Sequence, residues 1–269
     1  MPNSVLSKWK EYVMSLNVAV VVPCHAHREF LPDALTSIEA QSSPVGAIYP
    51  VIDNDWTWEG YAEEALAPYE DTIIECYENY GVSSARNLGI EAALIDGYEW
   101  VICLDEDDLM DSRYVYRLLQ ADEAYPDADI FYPDWSMFGA QIGFVKTDEY
   151  NYDELVRRPF IISSAAIRTR TWELVRTANG AGFDEDLHAL GLRWEDYLFF
   201  LEAGHLGAEM ARIGIGGALV KVRRHQDKSS GSDVANATIP QWVDFVTTKF
   251  EHLYQTKLVG LATGMLWQK

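Results

Sequence analysis

The feature that most constrains the fold is a short apolar run that ends abruptly in acids. Residues 100–104 read Trp-Val-Ile-Cys-Leu, and residues 105–108 read Asp-Glu-Asp-Asp. A continuous apolar run of this length predicts a strand buried on both faces. Four adjacent carboxylates repel one another, and a divalent cation with a preference for oxygen ligands, such as Mg²⁺, Mn²⁺ or Ca²⁺, would offset that repulsion. The alternative is an acidic loop that caps the helix expected to begin near Asp111.

Strand and helix patterns alternate up to and beyond this stretch. Apolar runs predict strands at 17–22, 47–52, 72–76 and 100–104, and the residues after them predict helices over 29–41, 57–69, 83–94 and 111–125. Ser83 or Ser84 is the expected cap of the third helix. This alternation predicts an α/β fold, a mostly parallel sheet with helices on both faces. The apolar alternation over 141–146 is typical of a mixed or antiparallel edge.

Polar residues follow each predicted strand. His25 follows the first, Asp53 the second, Arg86 and Asn87 the third, and the acids of 105–108 the fourth. The carboxyl ends of parallel strands meet at one edge of the sheet, where open α/β sheets bind ligands. The histidine pair at positions 25 and 27 is only a weak metal signal, because a His-x-His pair is more often part of a loop that happens to contain histidines.

Composition excludes several classes of protein. The motifs G-x-G-x-x-G and G-x-x-x-x-G-K-[ST] are both missing, which argues against dinucleotide-binding and P-loop enzymes. A net charge of −21, from 42 acids and 21 bases, argues against nucleic acid or an anionic membrane as partner. The three cysteines lie in or beside apolar runs and lack zinc-site spacing. No run approaches the roughly 20 apolar residues of a transmembrane helix, so we expect no transmembrane segment and a cytoplasmic protein.

Four segments carry a resemblance to a known family. They are Pro23-x-His25, Asp53 after the second strand, Gly81-x-Ser83-x-Ala85-Arg86-Asn87-x-Gly89, and Leu104-Asp105-x-Asp107-Asp108. This combination resembles the nucleotide-binding half of the family 2 glycosyltransferases, which have the GT-A fold and a DXD motif. The resemblance covers about residues 17–225, most of the chain.

The resemblance implies roles for individual residues. Residues around the nucleoside would be Pro23, His25, Asp53, Arg86 and Asn87. Asp105 would reach the ribose, and Asp107 would hold Mn²⁺ or Mg²⁺ on the diphosphate. The second strand departs from the family pattern of paired aspartates followed by Gly-Ser, since this chain has Asp-Asn-Asp-Trp at 53–56. Either Asp53 or Asp55 is therefore expected to meet the nucleoside.

The resemblance returns in the second half of the chain. Family members carry a G-x-F-D-E segment, matched here by residues around 182–185, and an E-D pair, matched by Glu195 and Asp196. By this resemblance Asp196 is the catalytic base and His225 completes the metal site. A transferred sugar requires a group that accepts the proton of the attacking hydroxyl, and a carboxylate can do so. The alternative is that both acids only stabilise a helix N-terminus.

These observations predict a domain organisation. Residues 1–16 form a packing helix, and residues 17–235 form a single Rossmann-like GT-A domain. Its nucleotide-binding half is 17–110 and its acceptor half is 111–235. Residues 236–269 form a helical extension that packs on the domain, joins subunits of a homo-oligomer or shapes the acceptor pocket.

The predicted function is an inverting glycosyltransferase. It would move a sugar from a nucleotide-diphosphate sugar, UDP-linked by expectation, to the hydroxyl of a glycan or another acceptor. One alternative is a metal-dependent nucleotidyltransferase or phosphohydrolase, because clustered carboxylates also serve phosphoryl chemistry. Another is a non-catalytic module that binds a sugar nucleotide or a glycan.

Overall fold

The computed structural model describes residues 17–53, 61–76, 80–214, 216–226 and 239–249. The helix predicted over residues 1–16 and the candidate Asp55 lie outside these ranges. The strands are β1 Val18–Cys24, β2 Ala47–Asp53, β3 Ile74–Cys76, β4 Trp100–Cys103, β5 Leu109–Met110, β6 Ile130–Pro133, β7 Trp135–Gly139, β8 Gly143–Val145, β9 Ala166–Arg168, β10 Met210–Ile213 and β11 Val220–Arg224. The helices are α1 Leu31–Glu39, α2 Tyr61–Leu66, α3 Val82–Ile95, α4 Tyr114–Ala124, α5 Tyr152–Arg157, α6 Thr169–Asn179, α7 Asp186–Ala189, α8 Glu195–His205 and α9 Ile239–Lys249.

Seven strands form the main sheet, in the order β10-β6-β9-β4-β1-β2-β3. All neighbours are parallel except β9, which runs antiparallel to both β4 and β6. The predicted α/β fold with a mostly parallel sheet is therefore confirmed. Its antiparallel strand lies at an inner position of the sheet. The alternating stretch near 141–146 instead contributes β8 to a second sheet of order β5-β11-β7-β8.

The central strand β1 shows why this sheet needs helices on both faces. All seven of its residues are buried. Ala19 and Val21 belong to the core on one face, which contains buried residues of α3, α6 and α8. Val18, Val20 and Val22 belong to the core on the other face, which contains buried residues of α1 and α4. Because side chains alternate along a strand, an unbroken apolar sequence requires cover on both sides.

Helix α3 begins differently from the expected serine cap. Its N-cap residue is Gly81, with φ of 86°, and no side chain caps the helix. Ser83 and Ser84 lie inside the first turn, so the predicted cap is wrong. The backbone at position 81 has a left-handed conformation, and an added Cβ would lie 2.3 Å from His188. Glycine satisfies both requirements at this position.

Helix α9 packs onto the domain through apolar side chains. Trp242 and Val246 are buried in the core that contains α8. The Trp242 ring stacks on Tyr197 of α8, with centroids 5.4 Å apart. Residues 239–249, the described part of the predicted extension 236–269, therefore pack on the domain. Within the described ranges, no helix combines the length and apolar character needed to cross a membrane.

The glycine of the A-R-N-x-G segment, Gly89, allows α3 to lie close to β1. A Cβ at Gly89 would lie 2.3 Å from Val21 Cγ1, and Val21 is fully buried. We expect Gly89→Ala to lower the free energy of unfolding by about 1–3 kcal/mol through overpacking. Gly217→Ala is the matched control, since its Cβ would meet only an arginine side chain 3.7 Å away. Urea denaturation of both variants measures the effect, and equal stabilities would contradict a packing role for Gly89.

Candidate active site

The ends of four strands bring the predicted polar residues to one edge. The register pairs Val21 with Cys103, Cys24 with Ile52, and Asp53 with Cys76. The loops that follow β1, β2, β3 and β4 therefore start side by side. As predicted from the alternation of strands and helices, the structure brings the histidines, Asp53, Arg86 and the acids together at the carboxyl edge of the sheet.

Glu106, inside the acidic motif, holds the loop after β1. Its Oε1 accepts hydrogen bonds from the backbone N–H groups of His25, Ala26 and His27, at 3.1, 2.9 and 2.9 Å. Burial raises the pKa of the Glu106 carboxyl to about 7, although these three N–H groups lower it. Sequence reasoning missed this residue, because a carboxylate in an acidic run gives no sign that it binds backbone.

Asp107 lies beside two histidines. Its Oδ2 is 2.6 Å from His225 Nε2. The His27 ring stacks on His225, with centroids 4.4 Å apart and an interplanar angle of 11°. One ligand atom from each of His27, Asp107 and His225 lies within 4.8 Å of the other two. One carboxylate and two imidazoles form a donor set that fits a divalent metal, so Asp107 and His225 are placed together as predicted.

Strand β11 holds the acidic motif from the other side. The backbone N–H of Arg223 donates to Asp108 Oδ1 at 2.8 Å, and Arg223 Nε donates to the Asp107 carbonyl at 3.0 Å. The Arg223 guanidinium lies 3.8 Å from the Phe30 ring centroid and 4.4 Å from that of Phe138. Burial, then Asp105 and Asp107, raise the pKa of Asp108. Asp108 is therefore a buried support of the motif.

The alternative explanation of the acids as a helix cap does not fit this arrangement. Strand β5 separates them from α4, which begins at Tyr114 with no capping side chain. Among the described residues, it is Asp111 that accepts the hydrogen bond from the backbone N–H of Arg113, at 3.1 Å. The four acids instead contact Arg86, the β1 loop, His225 and β11.

Arg86 lies between two acids from distant parts of the chain. Its guanidinium donates to Asp105 Oδ1 at 2.8 Å and to Glu195 Oε1 at 2.6 Å. The side chain is 3% exposed, whereas that of Asp105 is 38% exposed. Burial lowers the pKa of Arg86, but Asp105 and Glu195 raise it further, so the guanidinium keeps its charge. One cation thus joins the acidic motif to the start of α8.

Asn87 fastens α3 to the loop before α7. Its Nδ2 donates to the Phe183 carbonyl and to Glu185 Oε1, both at 2.8 Å. Its Oδ1 accepts from Phe183 N at 2.8 Å and from Trp172 Nε1 at 3.0 Å. Two donors and two lone pairs are the whole capacity of an amide. In this arrangement Asn87 has no polar atom left for a ligand.

The remaining residues predicted to surround the nucleoside lie at the ends of β1 and β2. Asp53 is buried and accepts from Tyr80 N at 2.9 Å and from Gly81 N at 2.8 Å. His25 is exposed, and its Nδ1 is 2.9 Å from the Asp53 carbonyl. Pro23 is buried inside β1, beside Val51. Contact of these residues with a nucleoside stays a prediction.

Asp196 lies in the first turn of α8, next to the ion-paired Glu195. The preceding Trp194 has φ of 70°, an unfavourable backbone conformation for a large residue, and its ring packs against Trp242 at 5.6 Å. Burial, and then Glu195, raise the pKa of Asp196 to about 7, although Arg86 lowers it. Its Oδ1 accepts from Tyr197 N at 2.8 Å, a hydrogen bond that the oxygen of a neutral side chain can also accept.

A groove of about 490 Å³ lies between α9 and the segment before Trp194. Leu190, Leu192 and Phe245 line it, and Asp244 and Lys249 add charge. Lys249 also pairs with Asp184 at 2.8 Å, which ties α9 to the G-x-F-D-E segment. The groove is thus lined by α9 and by two leucines of the segment between α7 and α8.

Comparison with known families decides the classification. The family model described as Glycosyl transferase family 2 matches residues 19–175, more than half of the chain. The chain belongs to glycosyl transferase family 2. The resemblance stated from sequence motifs is therefore confirmed, and the protein is a glycosyltransferase. A search of curated proteins finds no match to the sequence.

Solved structures similar to this one include TarS from S. aureus. TarS 1-349 in complex with UDP-GlcNAc matches with a TM-score of 0.64 at 15% identity, covering 85% of this chain and 66% of that one. TarS 1-349 with UDP gives a TM-score of 0.62 at 14% identity, with coverages of 91% and 76%. The longer TarS chain gives 0.62 at 15% identity, and 45% of it is covered. At these identities the similarity supports the GT-A fold.

The position of Arg86 predicts a large stability effect. A variant Arg86→Met leaves Asp105 and Glu195 without their shared cation, and breaking a buried pair costs about 3–5 kcal/mol. The control is Arg157→Met, which removes an exposed pair with Glu154 worth at most about 1 kcal/mol. Chemical denaturation measures both changes. A loss for Arg86→Met no larger than the control's would show that the two carboxylates do not depend on this arginine.

Proposed function

We propose that this glycosyltransferase moves a sugar from a nucleotide-diphosphate sugar, UDP-linked, to an acceptor hydroxyl with inversion. The observation that carries the proposal is the double ion pair of Arg86, which joins Asp105 of the acidic motif to Glu195, the neighbour of Asp196. This contact places Asp105 next to the start of α8, which supports a single site for the donor and the base. The fold similarity to TarS, whose structures are described with UDP-GlcNAc and with UDP, supports the choice of donor.

The donor is proposed to lie at the carboxyl edge of β1, β2 and β4. Pro23, His25 and Asp53 line the nucleoside end, and Asp105, which is partly exposed, accepts the ribose hydroxyl. Arg86 and Asn87 are proposed to hold the surrounding segments in place, because their polar groups bind neighbouring residues of the protein. The exposed face of His25 is suited to stack on or bind the base.

A divalent metal, Mn²⁺ or Mg²⁺, is proposed to be held by Asp107 and His225. These residues fit such an ion because a carboxylate and an imidazole are neighbours, 2.6 Å apart, where the loop after β4 meets the end of β11. Hydrogen bonds of Glu106 and Asp108 hold that loop against the β1 loop and β11. When bound, the ion neutralises charge that develops on the departing diphosphate. The positive charge of the ion is needed because the carboxylates around the site would repel an anionic leaving group.

Asp196 is proposed to take the proton of the acceptor hydroxyl. A base performs best with a pKa near the working pH, and burial beside Glu195 raises the pKa of Asp196 to about 7. One displacement at the anomeric carbon, with the hydroxyl on one side and the diphosphate on the other, inverts the configuration. The groove along α9 is the proposed acceptor region, and it supports the prediction that residues 111–235 and the helix after them bind the acceptor.

Family membership favours this function over the nucleotidyltransferase, phosphohydrolase and binding-module alternatives. Three expectations stay predictions: the division into halves at residue 110, a homo-oligomer through α9, and a cytoplasmic location. Strand β5, at the proposed boundary, pairs with β11 of the second sheet.

A donor screen tests the proposal directly. Thermal shifts of the purified protein with a panel of nucleotide sugars, with and without Mn²⁺ or Mg²⁺, should single out a UDP-sugar whose stabilisation requires metal. Product analysis should then show UDP and a glycoside of inverted anomeric configuration. Release of sugar 1-phosphate or nucleoside monophosphate as first product would instead indicate phosphoryl chemistry. The variant Asp107→Asn should lose the metal-dependent part of the shift.

The assignment of the base predicts a rate effect without a stability cost. Asp196→Asn should lower turnover by about 10²–10⁴ because the proton acceptor is lost. Its melting temperature should not fall, since a neutral amide removes repulsion with Glu195. A mutant that retains most of its activity would exclude Asp196 as the base, and a lower melting temperature with normal turnover per folded molecule would leave only a helix-stabilising role.

The pH dependence follows from the same carboxyl. Asp196 must be ionised to accept a proton, so kcat/KM should fall as pH drops through about 7 and level off above it. Folding stability depends on the ionisation of Asp196 in the opposite direction. A pKa raised in the folded state means that the folded protein binds more protons between about pH 4 and 7, so this group's contribution to stability is lost as pH rises. Pre-steady-state rates across pH measure the first effect, and denaturation across pH measures the second.

A further inference from the structure

We propose that His27 is a third protein ligand of the metal site, and that it makes the site prefer a transition-series divalent ion such as Mn²⁺ over Mg²⁺. The inference rests on the proposed donor site, where Asp107 and His225 hold the ion. It goes further because the loop after β1 would contribute a metal ligand as well as nucleoside contacts.

The geometry of the three side chains carries the assignment. Ligand atoms of His27, Asp107 and His225 all lie within 4.8 Å of one another. The two imidazole rings are nearly parallel, with centroids 4.4 Å apart. Metal–nitrogen bonds of about 2.1 Å place neighbouring ligand atoms of one ion roughly 3 Å apart. Because the planes of the stacked rings are nearly parallel, one ion shared by both imidazoles requires one ring to turn about its side-chain torsions until its nitrogen points at the ion. The separation of at most 4.8 Å leaves the three ligand atoms within reach of such a rotation.

The backbone around both histidines is held in place by the acidic motif itself. His27 N donates to Glu106 Oε1 at 2.9 Å, and the two preceding N–H groups bind the same oxygen. Two residues before His225, the backbone N–H of Arg223 donates to Asp108 Oδ1. Glu106 and Asp108 flank Asp107 in sequence, so the motif that supplies the carboxylate also positions both imidazoles. Such preorganisation is what a metal site needs from its surroundings.

The donor set determines which ion is favoured. Mg²⁺ prefers oxygen ligands and keeps several waters, whereas imidazole nitrogen suits transition metals. One imidazole ligand favours a transition metal only modestly. With two imidazoles on a single ion, most of the ligand atoms that the protein supplies are nitrogens. Three protein ligands would leave further coordination positions of the ion for oxygens of a diphosphate.

The test uses Mn²⁺ alone as probe, so that it needs neither donor nor turnover. Mn²⁺ binding to the full chain is followed through the electron paramagnetic resonance signal of the free ion, and Mg²⁺ affinity is measured by competition. His27→Phe keeps a ring to stack on His225 but removes the nitrogens. His205→Phe, at the exposed end of α8, is the matched control, and melting temperatures show that each variant is folded.

We expect His27→Phe to weaken Mn²⁺ binding by about 10-fold or more, with Mg²⁺ affinity little changed and the control equal to wild type. Electron spin echo modulation should show two coupled ring nitrogens in the wild type and one in His27→Phe. Unchanged Mn²⁺ affinity and an unchanged nitrogen signal would overturn the proposal, even if donor turnover is normal. If His27→Phe loses Mn²⁺ binding but no UDP-sugar is turned over, the ligand assignment holds and the proposed function fails.

Discussion

The buried guanidinium of Arg86 is the interaction on which the site depends. Taking this charge out of water costs several kcal/mol, and the carboxylates of Asp105 and Glu195, one on each terminal nitrogen of the guanidinium, offset that cost. Those acids come from the end of β4 and the start of α8, far apart in sequence. Since the cation needs both, the loop that carries the donor motif and the helix that carries the proposed base keep a defined relation to each other.

The need of each charge for a partner also explains how four adjacent acids coexist in a protein with a net charge of −21. Each carboxylate has its own partner: Arg86 for Asp105, three backbone N–H groups for Glu106, His225 for Asp107, and the Arg223 N–H for Asp108. Glu106 and Asp108 are buried and serve the loop, whereas Asp105 and Asp107 keep some exposure. The two acids that the family motif names are therefore those that a ligand can reach.

Two unfavourable features lie side by side at the start of α8: the left-handed backbone of Trp194 and the partly desolvated carboxyl of Asp196. Trp194 holds its left-handed conformation through contacts with Trp242 and Tyr197, and Trp242 belongs to α9. Docking of α9 thus supports the start of α8. Local strain and a raised pKa at one point are typical of functional sites, where surrounding packing compensates for both.

The sequence by itself determined the alternation of strands and helices, the mostly parallel sheet and the convergence of polar residues on one edge. Hydrophobic periodicity is a local property, and a helix between two strands of one sheet returns the chain in the same direction. Only the tertiary structure decided which partner each polar residue has. The nucleoside contacts expected of Arg86 and Asn87 stay a prediction, and the structure adds their partners within the protein: two carboxylates for Arg86, and Phe183 and Glu185 for the amide nitrogen of Asn87. Glu106 and His27 gave little signal, since their roles depend on a backbone loop and a neighbouring strand brought close by folding. Pairing across 80 or more residues is set by packing, which no local pattern records.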